Sequence, residues 1–185
     1  MENPETAYIL TGGQSRRFGQ PKCIAEVKGK PLMDWVAANL KDVFSEVFQV
    51  GKQPYGSLPF VPDISENQNP LTGVITALKH CPGDWAFVIA CDLPLVNADI
   101  IQKLHNARDE KTIVVLPEVN GYLQYTCGFY HKSLLRTAEA ELERDNPALY
   151  KLVKKTKSKA VIFNEGKRFL NVNRKGDLEE LNLME

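Results

Sequence analysis

The chain has 185 residues, 43% of them hydrophobic and 25% charged, which leaves room for one domain with a sizeable core and argues against a disordered or fibrous protein. Lysine plus arginine and aspartate plus glutamate each number 23, so the basic excess of a surface built for nucleic-acid backbones is missing. The longest apolar run, Trp85 to Cys91, is far shorter than the roughly 20 residues of a membrane span. The acidic start Met1-Glu2-Asn3-Pro4-Glu5 resembles neither a secretion signal nor a transit peptide. Cys23, Cys81, Cys91 and Cys127 contain no C-x-x-C spacing and read as small, buried, reduced thiols of a cytoplasmic protein. His80, His105 and His131 are too far apart for a histidine metal motif.

In chain order, Tyr8-Ile9-Leu10 is a short strand that runs into a turn at Gly12-Gly13. Pro31 suits the first position of a helix carrying Leu32, Trp35, Val36 and Leu40. Val47 to Val50 is a second strand, and residues 51–69 form a loop with a short strand at Phe60-Val61. Pro70 starts a helix with Leu71, Val74, Ile75 and Leu78 on one face. Trp85 to Cys91 lacks any polar alternation, as in a strand covered on both faces. Asn97 caps a helix with Ile100, Ile101 and Leu104, and Thr112 to Leu116 is the next strand. Tyr122 to Tyr130 is β-rich and interrupted by Gly128; a helix runs from Ser133 to about Arg144, and Asn146-Pro147 breaks it and starts another. Lys159 to Phe163 and Phe169 to Val172 read as strands, and a last helix carries Leu178, Leu181 and Leu183. The strand–helix alternation predicts an α/β fold: one domain over residues 1–185, three-layered, with a mostly parallel open sheet, helices on both faces and an inserted antiparallel strand.

Open sheets of this kind bind ligands at the carboxyl ends of their strands, where two groups of residues fall. The first is Leu10-Thr11-Gly12-Gly13-Gln14-Ser15-Arg16-Arg17-Phe18-Gly19-Gln20-Pro21-Lys22. Its glycines let the backbone approach a ligand closely, its N–H groups can cradle phosphate oxygens, and its arginines and lysine supply positive charge. It is neither the Walker loop nor G-x-G-x-x-G, and a basic, glycine-rich surface turn is the competing reading. The second is Cys91-Asp92-Leu93-Pro94. A carboxylate at the end of the most buried strand must be hydrated, hydrogen-bonded or metal-bound. Opposite a polyphosphate it would hold Mg²⁺; otherwise it caps the following turn.

Together the two groups resemble the L-A-G-G-x-S-x-R-[MF]-G-x-x-K signature of nucleotidyltransferases that release pyrophosphate. Pro70-Leu71-Thr72-Gly73, the helix after it and then Cys91-Asp92-Leu93-Pro94 are similar to the G-P-L-A-G … C-D-x-P arrangement of the molybdenum cofactor guanylyltransferase family. Gln124 to Leu135 and the ending Phe169-Leu170-Asn171-Val172-Asn173 … Asp177-Leu178-Glu179-Glu180-Leu181 resemble that family's central and C-terminal segments. The resemblance implies a Rossmann-like fold of the nucleotide-diphospho-sugar transferase type. It implies transfer of GMP from GTP to the phosphate of molybdopterin, with or without molybdenum, giving the dinucleotide cofactor and pyrophosphate. Cytidylyl transfer, nucleotidyl transfer to another phosphorylated small molecule, and cofactor delivery without catalysis are the alternatives. By motif position, Leu10, Thr11, Gly12 and Gly13 would contact the nucleotide, Lys22 and Arg17 its phosphates, and Asp63 the guanine nucleoside. Asp92 would hold Mg²⁺, and Asn171 and Asn173 would lie on the pterin side. Cofactor-assembly or recipient proteins are further implied partners; nucleic acid and membrane are not. Three departures stand out: Pro21 before the lysine, Asn69 for the glycine of G-P-L-A-G, and Gln49-Val50-Gly51 where several members place a base-reading asparagine. The run Lys151, Lys154, Lys155, Lys157 and Lys159 is either a hydrated helix end or a guide for an anionic ligand or partner.

Overall fold

The computed structural model describes residues 6–12, 21–66 and 69–183. Among the described residues, ten strands and six helices follow in chain order: β1 (Thr6–Leu10), β2 (Glu26–Val27), β3 (Lys30–Pro31), α1 (Leu32–Lys41), β4 (Glu46–Gly51), β5 (Phe60–Pro62), α2 (Pro70–His80), β6 (Trp85–Ala90), α3 (Ala98–Asn106), β7 (Val114–Val119), β8 (Tyr122–Leu123), β9 (Cys127–His131), α4 (Leu135–Leu142), α5 (Leu149–Val153), β10 (Ser158–Phe163) and α6 (Lys175–Leu183). The main sheet has the order β10-β7-β9-β6-β1-β4-β5, with β8 appended to β7. Neighbours along that order are parallel except around β9, which runs antiparallel to both β6 and β7, and the short β8 is antiparallel to β7. This is the mostly parallel α/β sheet with one inserted antiparallel strand that the alternation predicts.

Both faces are buried because strand residues alternate sides. Ile9, Phe87, Ile89 and Phe129 pack with Val36 and Leu40 of α1 and Ile101 and Leu104 of α3. Tyr8, Val88, Leu116 and Tyr130 pack on the opposite face with Val74 and Leu78 of α2 and Leu152 of α5. A third cluster joins Val27 and Leu32 to Val172 and Leu181, so the C-terminal segment closes over the β2–β3 hairpin. Asn69 and Asn97 cap α2 and α3 by accepting from Leu71 N–H at 2.9 Å and Ile100 N–H at 3.2 Å. No helix among the described residues is long and apolar enough to cross a membrane.

Several elements differ from expectation. Pro31 precedes α1 as its cap and pairs with Glu26, so the helix starts one residue later. The β2–β3 hairpin has no hydrophobic run to announce it; it turns through Lys28 and Gly29, whose φ angles of 52° and 72° mark a type I′ turn. The Tyr122–Tyr130 stretch breaks between β8 and β9, at residues 124–126, whereas Gly128 lies inside β9. A Cβ at Gly128 would sit 2.4 Å from Val115 O on the adjoining strand, so the glycine permits close strand approach. Phe169–Val172 is not a strand: a 3-10 turn over Gly166–Phe169 leads into irregular backbone. Its Val172 N–H donates instead to Asp92 O at 2.9 Å.

Gly128→Ala is expected to cost about 1–3 kcal/mol, because the obstructing atom is backbone. Gly176→Ala, where a Cβ meets nothing within 4 Å, should be neutral or gain up to about 1 kcal/mol within a helix. Urea denaturation midpoints compare the two, and equal midpoints would refute the packing argument.

Candidate functional site

Parallel pairing of β1 with β6 places Leu10 opposite Ala90, and the ladder ends with Cys91 N–H donating to Leu10 O at 3.1 Å. Asp92 therefore leaves the sheet beside Thr11 and Gly12. Lys22 returns to the same edge at the start of a 3-10 turn over Lys22–Ile24. Beneath it, the thiols of Cys23 and Cys91 are hydrogen-bonded to each other. That bond holds Cys23 below the usual thiol range and pushes Cys91 up. All four cysteines are free and buried.

The Lys22 ammonium lies 3.2 Å from Asp92 Oδ2 and donates to Asn173 Oδ1 at 2.6 Å. Asn173 is held in turn by its N–H donating to Asp177 Oδ2 at 2.6 Å. These bonds unite the glycine loop, the end of β6 and the C-terminal segment. Asn171 does not join them; its amide donates to Phe169 O at 3.4 Å, within its own turn.

Asp92 Oδ1 is buried and has no hydrogen-bond partner among the described residues. A carboxylate oxygen left without a donor is costly, and a cation beside it would remove that cost. Among the described residues no group of three His, Cys, Asp or Glu could hold a metal ion. The donor set therefore suits Mg²⁺, which takes one or two carboxylates and completes its shell from phosphates and water. It does not suit a cation that needs a full protein cage.

On the other flank, Leu10, Gly12, Asp63, Gly73, Ala90 and Thr126 line a cavity of about 80 Å³. Asp63 follows β5, and its N–H donates to Gly51 O at 2.8 Å. Its Oδ2 lies 3.8 Å from where a Cβ on Gly12 would stand, so the carboxylate faces the glycine turn. Burial raises the Asp63 carboxyl above its usual range, opposed by the Thr76 hydroxyl and the Lys52 charge. Thr11 contributes less than its motif position suggests. Both its N–H and its hydroxyl donate to Val50 O, at 2.9 and 3.0 Å, leaving the carbonyl for a ligand. Gly13 and Arg17 lie outside the described residues.

Gln49 takes no part in the cavity. It is fully buried, donates to Leu58 O at 2.7 Å and accepts from Tyr55 N–H at 2.7 Å. Thr76 and Thr126 were not singled out by motif. Thr76 could have been found from its place one helical turn after Thr72 on the face of α2 that meets the sheet; Thr126 depends on the unpredicted β6–β9 pairing. Two lysines of the basic run are paired with acids of the protein: Lys155 lies 2.9 Å from Glu141 and Lys159 3.1 Å from Asp109.

The MobA-like NTP transferase domain matches residues 7–160. The chain belongs to this family. A protein of Aquifex aeolicus named "probable molybdenum cofactor guanylyltransferase" is 31% identical, over 98% of this chain and 92% of its own. One of the same name from Bacillus licheniformis is 30% identical, over 96% of each. A crystal structure of an Aquifex aeolicus protein superposes with a TM-score of 0.80 at 31% identity, covering 92% of this chain and 94% of that one. The family's fold thus accounts for the convergence of Lys22 and Asp92 at one sheet edge.

The raised Asp63 carboxyl has a stability consequence. A carboxyl whose folded pKa exceeds its unfolded value stabilises the fold fully below the unfolded value, and that contribution is lost as pH rises through the folded one. Asp63→Asn should therefore raise the melting temperature relative to the parent at pH 7 and lose that advantage at low pH. A parent–variant difference that does not change with pH would contradict the assignment.

Proposed function

We propose that the protein transfers GMP from GTP to the terminal phosphate of molybdopterin, releasing pyrophosphate. The observation that carries this reading is the joining of Lys22, Asp92 and Asn173 beside the Asp63 cavity, on a fold shared with relatives of that name. An acceptor phosphate oxygen attacks the α-phosphorus, a new P–O–P linkage forms, and the bond to the β-phosphate breaks with its electrons leaving on pyrophosphate. The attacking phosphate is already an anion near neutral pH, so no general base is required. The obstacle is repulsion between anions, and the site answers it with fixed charge.

In this reading Asp92 binds Mg²⁺, which when bound screens the phosphates and stabilises the leaving pyrophosphate. Lys22 holds the α- and β-phosphate oxygens, and its bonds to Asp92 and Asn173 keep the ammonium aimed into the site. Arg17 and the loop amides of Gly12 and Gly13 complete the phosphate cradle. Leu10 walls the base, and Asp63 accepts hydrogen bonds from the guanine edge. Asn171 takes the supporting role of shaping the turn that delivers Asn173.

Purified protein, GTP, Mg²⁺ and molybdopterin should release pyrophosphate. Lys22→Ala and Asp92→Asn should each lower turnover about 100-fold or more, the scale of losing one electrostatic stabiliser, while both remain folded by circular dichroism. Pyrophosphate release from CTP but not GTP would overturn the guanine assignment, and near-normal rates in either variant would overturn the mechanism.

A further inference from the structure

Beneath the charged edge of the site lies a pair of side chains that the proposed reaction does not use. Lys22 meets Asp92 at 3.2 Å, and the adjoining residue on each segment, Cys23 and Cys91, brings its thiol into hydrogen-bond contact with the other. Both belong to the apolar layer shared with α1 and α3, at 1% and 6% exposure. The roof over them is thin, because Lys22 and Asp92 themselves reach solvent. The other two cysteines stand elsewhere: the Cys81 thiol donates to Trp85 O at 3.3 Å, and Cys127 lies within β9.

The two thiols rest on supports of unequal stiffness. Cys91 extends the β1–β6 ladder through its N–H to Leu10 O at 3.1 Å, and Leu93 N–H closes the following turn on Ala90 O at 3.3 Å. Cys23 sits in a 3-10 turn of three residues outside the main sheet, held by Ala25 N–H to Lys22 O at 2.9 Å and Ile24 N–H to Pro21 O at 3.3 Å. A disulfide draws its sulfurs to about 2.05 Å, well inside the distance of a thiol–thiol hydrogen bond. With Cys91 fixed by the sheet, the turn supplies the movement, and Lys22 travels with it. The Lys22 ammonium is set by two contacts, to Asp92 Oδ2 at 3.2 Å and Asn173 Oδ1 at 2.6 Å, so a shift of its backbone is felt at the charged end.

We propose that Cys23 and Cys91 form a reversible oxidation site, closed by a hydroperoxide into an intramolecular disulfide that draws Lys22 out of its working position. One thiol sulfur attacks the peroxide, the O–O bond breaks, and the thiol becomes a sulfenic acid while its proton leaves with the departing oxygen as water or alcohol. The second sulfur attacks the first, the S–S bond forms, the S–O bond breaks, and the hydroxide leaves as water with the second thiol's proton. The two sulfurs together lose two electrons and one peroxide gains them. A dithiol reductant reverses the bond by exchange. The oxidation site rests on the thiol contact; its effect on turnover rests on the phosphate-holding role of Lys22 in the guanylyl-transfer reading.

The test treats the full chain with hydrogen peroxide under native conditions, counts thiols after unfolding, and maps the peptides by mass. The expected product keeps two of the four thiols, is lighter by two hydrogens, and has the Cys23 and Cys91 peptides joined. Its GMP transfer should be slower by about tenfold or more, since a small misplacement of a positioning group is costly in rate, and dithiothreitol should restore both thiols and rate. Cys23→Ala should keep its remaining thiols and its own untreated rate through the same exposure; Cys91→Ala supplies the comparison if Cys23→Ala fails to fold. Four unreacted thiols in the parent, a link through Cys81 or Cys127, or oxidation with no link would each overturn the site. A Cys23–Cys91 link that leaves transfer at the reduced protein's rate would overturn its hold on Lys22. A reduced parent that transfers no GMP would sink the proposed reaction, while the thiol count and peptide map would still decide the oxidation site.

Discussion

The parallel pairing of β1 with β6 is the constraint on which the site depends. Lys22 and Asp92 are 70 positions apart in the chain, and nothing in either loop alone would bring them together. Parallel neighbours leave a sheet at the same edge, so the Leu10–Ala90 register delivers the glycine turn and the aspartate side by side. Were β6 reversed, Asp92 would emerge at the other end of the strand, roughly 17–20 Å away. The pairing is itself secured by burial: Ile9 and Ile89 face one layer of helices, Tyr8 and Val88 the other. A one-residue slip would exchange every one of those side chains between faces.

Within that frame the ion pair leaves part of its charge unengaged. Lys22 and Asp92 are each about one-fifth exposed, at 21% and 19%, and their ion pair engages only one carboxylate oxygen. An undonated oxygen is not diagnostic by itself, since Glu141 Oε1 on α4 is also buried without a partner. Surroundings separate the two. Glu141 is held by Lys155 at 2.9 Å and Arg144 at 3.4 Å, far in sequence from the glycine loop, and it serves to fix α4 against the lysine-rich segment. Asp92 stands beside Lys22 and two residues after Ala90, which lines the Asp63 cavity. Two lysines of the basic run are likewise paired within the protein, Lys155 with Glu141 and Lys159 with Asp109.

Strands and helices were legible wherever a hydrophobic run or a capping residue marked them, as at Trp85–Cys91, Asn97 and Pro70. Pairing was less so, because periodicity states which face is buried and carries no direction; that β9 opposes β6 follows only from the assembled sheet. Two hairpins did carry local signals that hydrophobic runs do not include. Lys28-Gly29 and Asn120-Gly121 all adopt positive φ, the conformation that type I′ turns demand. Phe169–Val172 misled because its composition suits a strand, whereas its Leu170 N–H closes the 3-10 turn on Lys167 O and its Val172 N–H donates to Asp92 O. In the site, Lys22, Asp92 and Asp63 were accessible from motif order. Thr126 and the Lys22–Asn173 bond were not, since each depends on which elements become neighbours.

The departures from the family pattern are absorbed by structure in ways that bear on selectivity. Asn69, standing for a glycine, caps α2 with its oxygen and reaches Pro147 O with its nitrogen, so the substitution fastens the segment before α5 to the N-terminus of α2. Gln49 spends its amide on Leu58 O and Tyr55 N–H and has none left to read a base. On the guanylyl-transfer proposal, that discrimination falls to Asp63. An ionised carboxylate is acceptor-only, and guanine presents two adjacent donors, its ring N–H and its 2-amino group. Cytosine presents one amino group next to a ring nitrogen that is itself an acceptor, so one Asp63 oxygen would face a lone pair. On that proposal a missing asparagine at the end of β4 costs no guanine preference, because the partly buried carboxylate just after the adjoining strand β5 would make the same distinction by charge and spacing.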